Sequence, residues 1–294
     1  MSILFQKRRR FYYALIIPAF VLYACALLIP LFGGTIPYSF LNWNLMSGKK
    51  SMAGLENYVK LISDEGFRIS FLFNLKLGVF TIIGSNLVSF VLAYLLNKNI
   101  RAKGLSRALF FIPNIISAVL VAFIWTFIFS QILPNLAEVM HWDWLGSISW
   151  FGSPGTATFT IMLVYFFFKF GFMMMIYTAG LQTIPVDLIE AGKIDGCTGF
   201  RLIKDIQLPL LMPTITINLF VSISGAFKAF DVPNAMTAGG PYGTTMPVAM
   251  DIYKEAFVKY NMGYGAAKSV ILFLVVAAVT LIQLNFTRKR EVSY

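Results

Sequence analysis

Ile184-Pro185-Val186-Asp187-Leu188-Ile189-Glu190-Ala191-Gly192-Lys193-Ile194-Asp195-Gly196-Cys197-Thr198-Gly199-Phe200, followed by Ile206-Gln207-Leu208-Pro209 and Pro213, is a polar interruption between two long apolar runs. Its punctuation predicts a short helix after Pro185, a break, and a second helix leading into the next apolar run. Asp187 and Glu190 fall in the first turn, where carboxylates favour the positive end of the helix dipole. Gly196 is suited to a turn with positive φ, and its missing side chain permits another backbone to approach closely. On the residues alone two readings stay open: a solvated linker with ordinary turn chemistry, or a segment that another protein grips.

Outward from this stretch the chain is apolar. Of 294 residues, 58% are hydrophobic, 16% aromatic and only 13% charged, against about 25% charged in soluble domains. Six segments, about 11–32, 71–96, 108–130, 157–180, 209–230 and 268–286, approach the roughly 20 apolar residues that carry a helix across a bilayer. Strict alternation is missing, and lipid requires backbone polar groups to be paired, so helices are expected in place of barrel strands. The expectation is an all-α membrane protein with six transmembrane helices in one domain spanning 1–294. Lys7, Arg8, Arg9 and Arg10 before the first apolar run resemble a secretion signal. The run continues through Leu31 and more spans follow, so it reads as a retained first helix.

Basic residues set the expected orientation. The amino terminus, the 97–107 loop, the 181–208 loop and the tail hold Lys7, Arg8, Arg9, Arg10, Lys98, Arg101, Lys103, Arg107, Lys193, Arg201, Lys204, Arg288, Lys289 and Arg290. The alternate connections hold Lys49, Lys50, Lys60, Arg68, Lys254 and Lys259. Both termini and the 181–208 loop are therefore expected in the cytoplasm of a multi-pass cell-membrane protein. The 131–156 connection lacks Lys and Arg but carries Trp142, Trp144 and Trp150, as an external loop lying at the interface would. The net charge of +11 is spread in these short clusters, so a nucleic-acid partner is not expected.

The pattern Glu190-Ala191-Gly192-x-x-Asp195-Gly196, followed by Ile206-x-Leu208-Pro209, resembles the EAA loop of permease subunits in binding-protein-dependent ABC importers. Gly54-Leu55-Glu56-Asn57-Tyr58, Phe111-Ile112-Pro113, Ala179-Gly180-Leu181-Gln182, Phe230-Asp231, Thr237-Ala238-Gly239-Gly240-Pro241 and Gly263-Tyr264-Gly265-Ala266-Ala267 are similar to segments of MalF-type sugar permeases. The resemblance covers most of the chain. It departs at Gly192 and Cys197, where the family usually has alanine, and at Leu75, where threonine often follows the asparagine equivalent to Asn74.

The resemblance implies a MetI-like ABC importer permease fold and a transport subunit without catalytic or metal-binding residues of its own. It implies three partners: a second permease subunit, a cytoplasmic ATPase dimer that binds ATP and Mg, and an extracytoplasmic solute-binding protein. The chain has no phosphate-binding Gly-x-x-x-x-Gly-Lys-Ser/Thr loop. By the same resemblance Glu190, Ala191, Gly192, Asp195 and Gly196 belong to a coupling helix seated in the ATPase, and the solute is a sugar or oligosaccharide. A different solute, such as a phosphorylated polyol, stays open.

Polar residues in spans usually face a cavity or another helix. Asn86, Lys169, Asn218 and Ser222, with Ser224 beside them, are candidates for the solute path, and Tyr165 could stack on a sugar ring. The alternative for each is ordinary packing: a structural pair for Lys169, a helix interface for Asn218 and Ser222. Lys228 and Asp231 are spaced for a local ion pair or for contact with the binding protein. Two rival classes are a membrane-embedded head-group transferase, which needs clustered acids to hold metal, and an ion-driven secondary transporter, which usually has inverted repeats.

Overall fold

The computed structural model describes residues 2–98 and 102–291. Arg101, counted above for orientation, lies outside the described residues, as do the side chains of Lys7, Arg8, Arg9 and Arg10. Five helices are long and apolar enough to cross a membrane, and a bent helix pair supplies a sixth. The chain divides into two compact units.

One unit comprises residues 65–251 and 274–294. Its first span runs Glu65–Asn97. The expected 108–130 span is two helices, because Ile116 and Ser117 turn extended (ψ 147° and 136°) between Lys103–Ile115 and Ala118. The second of them, Ala118–Val139, is the span. It takes in residues 131–139, so that part of the supposed external loop is helical. Continuous hydrophobicity hid the break.

The Pro154–Thr183 helix is the spine of this unit. Its Ile161, Val164 and Tyr165 pack with Phe73, Leu77, Val121 and Ala226, and its Met174, Tyr177 and Leu181 pack with Ala93, Leu96 and Leu211. Packing is close where side chains are small. A Cβ on Gly171 would lie 1.9 Å from the Phe110 carbonyl oxygen, so only glycine admits the neighbouring helix there. The expected 209–230 span is a pair, Phe200–Leu210 and Met212–Phe227, bent by 74° at Leu211. Pro209 and Pro213 flank the bend, and a proline removes a helical donor and crowds the preceding turn.

The other unit comprises residues 1–64 and 252–273. In the first helix the stretch Ile16–Ser39 is of spanning length, and its most apolar part has no buried residue, whereas Ser39 at its end is fully buried. The hairpin of Leu41–Trp43 and Lys50–Met52 is the one sheet among the described residues. Asn57 Nδ2 donates to the carbonyls of Ser39 and Leu41 (2.9 and 3.0 Å), and the Ser39 and Tyr58 hydroxyls are 2.6 Å apart. The Gly54–Tyr58 motif therefore staples the end of the first helix to the hairpin.

Lys268, 1% exposed in its side chain, pairs with Asp64 (3.0 Å) and lies 3.7 Å from Glu255. The Tyr264 hydroxyl also donates to Asp64. Burial works against the charge on Glu255, but hydrogen bonds from Lys259 and Asn261 and the nearby Lys268 outweigh it and hold the carboxyl below the ordinary glutamate range.

Candidate functional site

The 181–208 segment folds as the punctuation predicts. Ile184 is buried, Pro185 precedes the helix, and the helix runs Val186–Ile194. It ends in a Schellman turn: Gly196 has φ +82°, its N–H donates to the Lys193 carbonyl (3.1 Å), and the Cys197 N–H donates to the Gly192 carbonyl (2.8 Å). Such a turn satisfies two end carbonyls and favours glycine at the left-handed position. Apart from its two chain neighbours, no described residue has an atom within 4 Å of where a Gly196 Cβ would stand.

The five motif residues do not share one face. Glu190, Ala191, Asp195 and Gly196 are exposed, whereas Gly192 is buried. A methyl group on Gly192 would come 2.1 Å from Ile206 Cδ1. Glycine stands there because the chain's own next helix crosses over it, which locates the reason for this departure inside the chain. Around the exposed residues the segment displays apolar side chains: Ile194 is 86% exposed, Phe200 76% and Val186 63%. Exposed apolar groups of this size on a polar loop are a feature that surfaces for protein partners share.

The polar residues of the spans are drawn together, but into packing. Asn86 Nδ2 donates to Ser222 Oγ (2.8 Å) and to the Ile82 carbonyl (2.9 Å), and Asn86 Oδ1 accepts from the Tyr177 hydroxyl (3.0 Å). Ser222 Oγ donates to the Asn218 carbonyl (2.7 Å), and Asn218 Nδ2 reaches the Met173 carbonyl (3.4 Å). Asn86, Tyr177, Asn218 and Ser222 are all buried, so this cluster clamps three helices together. Tyr165 is buried too, with its hydroxyl toward Gly225. Phe166 packs edge-on against Phe80 and Phe167 against Trp125, so the aromatic run faces several neighbours.

Lys169 is different. It is partly exposed and lies over the rings of Phe168 (4.8 Å) and Tyr165 (5.8 Å), with no carboxylate within 4 Å among the described residues. Asp231 acts on it electrostatically from farther away. The spacing-based pair of Lys228 with Asp231 does not form: both are exposed, and they share no ion pair.

Sequence reading missed Asn74, which is fully buried. Its Nδ2 donates to the Ala226 carbonyl (2.6 Å), and its Oδ1 accepts from the Val248 N–H (2.7 Å). It thus ties the end of the Met212–Phe227 helix to the segment that returns after the Gly239-Gly240-Pro241 turn. A lone asparagine in an apolar run was the available signal. Leu75, beside it, points away and is 47% exposed, so the missing threonine is not part of this clamp.

Several helices of spanning length, joined by an exposed polar segment between two of them, define an integral membrane component. Residues 66–292 match the model of the binding-protein-dependent transport system inner membrane component family, and the chain belongs to that family. It is 36% identical over 288 residues to a probable starch degradation products transport system permease protein of Thermoanaerobacterium thermosulfurigenes, covering 98% of this chain and 97% of that one. It is 30% identical to a multiple sugar-binding transport system permease protein of Streptococcus mutans, with 90% of each covered. It is also 30% identical to an sn-glycerol-3-phosphate transport system permease protein of Pectobacterium atrosepticum, covering 96% of this chain and 95% of that one. A chain of a bacterial ABC transporter that imports the acidic polysaccharide alginate has the same fold, with a TM-score of 0.81 over 96% of both chains at 20% identity.

Proposed function

We propose that this chain is one of two permease subunits of an ABC importer that carries a sugar or oligosaccharide across the cytoplasmic membrane. Both termini and the 181–208 segment lie in the cytoplasm, as the fourteen basic residues on that side against six on the other favour. An ATPase dimer, holding ATP and Mg, docks on the Val186–Phe200 segment. A solute-binding protein delivers the sugar from the opposite side.

The observation that carries this reading is the exposed face of Glu190, Ile194, Gly196 and Phe200. Ile194 and Phe200 lose their contact with water on docking, Glu190 meets a basic group, and the bare Gly196 turn lets the backbones close up. Gly192 seats the helix on Ile206, so a push on the Val186–Ile194 helix is passed to the bent pair leading into the membrane. Closure of the ATPase dimer then rocks the helices between inward-open and outward-open arrangements, each favoured by different contacts.

The sugar assignment is supported by the names of the first two relatives. Lys169 favours a second reading, an anionic solute such as a phosphorylated polyol, because its ammonium group has no close carboxylate. ATP-driven uptake into vesicles holding the assembled transporter separates them. Saturable accumulation of a labelled maltodextrin or trisaccharide supports the sugar reading. Uptake of sn-glycerol-3-phosphate alone, lost in Lys169→Met, supports the second.

A further inference from the structure

The span Glu65–Asn97 carries a charge that no group among the described residues neutralises. Lys76 is exposed on this helix, and no hydrogen bond or ion pair to it exists among the described residues. A lysine within a membrane span costs several kcal/mol unless it snorkels to the interface or meets an anion. From Arg68, which forms an exposed ion pair with Glu65 in the first turn, it is eight residues down the helix, roughly 12 Å at 1.5 Å per residue. A lysine stem alone does not recover that distance.

Two cavities meet at Lys76. Toward the Glu65 end is one of 460 Å³ that it lines with Ile69, Pro154, Thr158 and Thr244. The Thr158 hydroxyl has no hydrogen-bond partner among the described residues. Away from that end is a groove of 640 Å³, lined by Leu75, Val79, Phe80, Ile83 and Gly84. Leu72, Lys76 and Met162 border both, so the two adjoin. Lys76 is the one charged side chain in either lining.

We propose that these adjoining cavities together bind an anionic phospholipid. The phosphate enters the upper cavity, pairs with Lys76 Nζ and accepts from the Thr158 hydroxyl, and one acyl chain lies in the groove beneath. The division into a cationic polar cavity and an apolar groove about 10 Å long, from Lys76 to Ile83 at 1.5 Å per residue, suits the phosphate and the upper half of one acyl chain of such a lipid. A sugar fits the apolar groove poorly, and a small anion leaves it unfilled. Leu75, where relatives of the MalF type often have threonine, widens the apolar wall with a side chain that is 47% exposed.

Native mass spectrometry of the assembled transporter in detergent, supplied with either phosphatidylglycerol or phosphatidylcholine, tests this. The expected result is selective retention of phosphatidylglycerol, reduced about tenfold by Lys76→Gln through loss of the charge-assisted bond. Ile83→Trp, which fills the groove, reduces it too, and Lys50→Gln, at an exposed lysine of the hairpin, does not. Equal retention of the two lipids, or undiminished retention in Lys76→Gln, overturns the proposal. So does displacement of the lipid by millimolar inorganic phosphate or sn-glycerol-3-phosphate, which marks a site for a water-soluble anion. Efficient crosslinking of Leu75→Cys to the sister permease, with no lipid bound, also overturns it, since a protein helix then fills the cleft.

Discussion

The polar cluster inside the spans and the loop between Ile184 and Pro209 invert each other's chemistry. Asn86, Tyr177 and Ser222 sit where water is absent and find hydrogen-bond partners in one another. Ile194 and Phe200 sit where water is present and find no apolar neighbour to cover them. A buried polar group that is fully engaged has finished its work inside the chain. An apolar group left in water has its partner elsewhere. Residues whose needs the chain itself does not meet are therefore best placed to act on another molecule, among them the loop's apolar face, Lys169 and Lys76.

The comparison breaks most readily at a buried charge. Lys268→Met leaves Asp64 and Glu255 facing each other without their shared cation, and removing one partner of a buried pair destabilises by about 3–5 kcal/mol. Thermal unfolding of the purified transporter should show a large fall in midpoint, and an unchanged midpoint means that the cluster is hydrated. Ile194→Asp combined with Phe200→Asp should leave unfolding untouched yet lower ATP-driven uptake by about thirtyfold or more, as expected when anchors of a docking face are made polar. A parallel loss of stability means instead that these side chains pack within the chain.

A smaller effect is expected from the polar clamp. Asn86→Leu strands the Tyr177 hydroxyl and removes a donor from Ser222, so stability should fall by about 1–3 kcal/mol. ATP hydrolysis should stay coupled to whatever uptake remains, and uncoupled hydrolysis in this variant contradicts a purely structural role. The mildest test is pH. Glu255 is held below its ordinary range, so its contribution to stability is complete above the unfolded-state value and is lost as pH falls through the lowered folded-state value. The unfolding midpoint should drop on acidification in that window. Glu255→Gln should start lower at neutral pH and show a flatter profile.

The local fold of the 181–208 segment was legible because its signals are local. Pro185, Gly196 and Pro209 mark helix ends by their own backbone preferences, and the helix found between them is Val186–Ile194. The number of spans was legible from hydrophobic length, although their ends were not. The break at Ile116 and Ser117 and the bend at Leu211 lie inside apolar runs, where transfer to lipid favours every residue alike and leaves no mark. The roles of Asn74 and Tyr177 depend on helices brought together from distant parts of the chain. Gly192 was read only as a departure from its family, because its contact, Ile206, is set by a turn whose geometry only the fold reveals. Lys76 was not among the candidates read from the sequence, and its isolation became visible once its neighbours were known.

Solute-stimulated ATP hydrolysis by the assembled transporter carrying Gly196→Asp bears most directly on the coupling segment. The substitution forces a side chain onto a left-handed turn and into the space beside it. The variant is expected to insert and assemble with its sister permease while both uptake and stimulated hydrolysis disappear. Normal uptake with normal stimulation would mean that no ATPase presses on this turn.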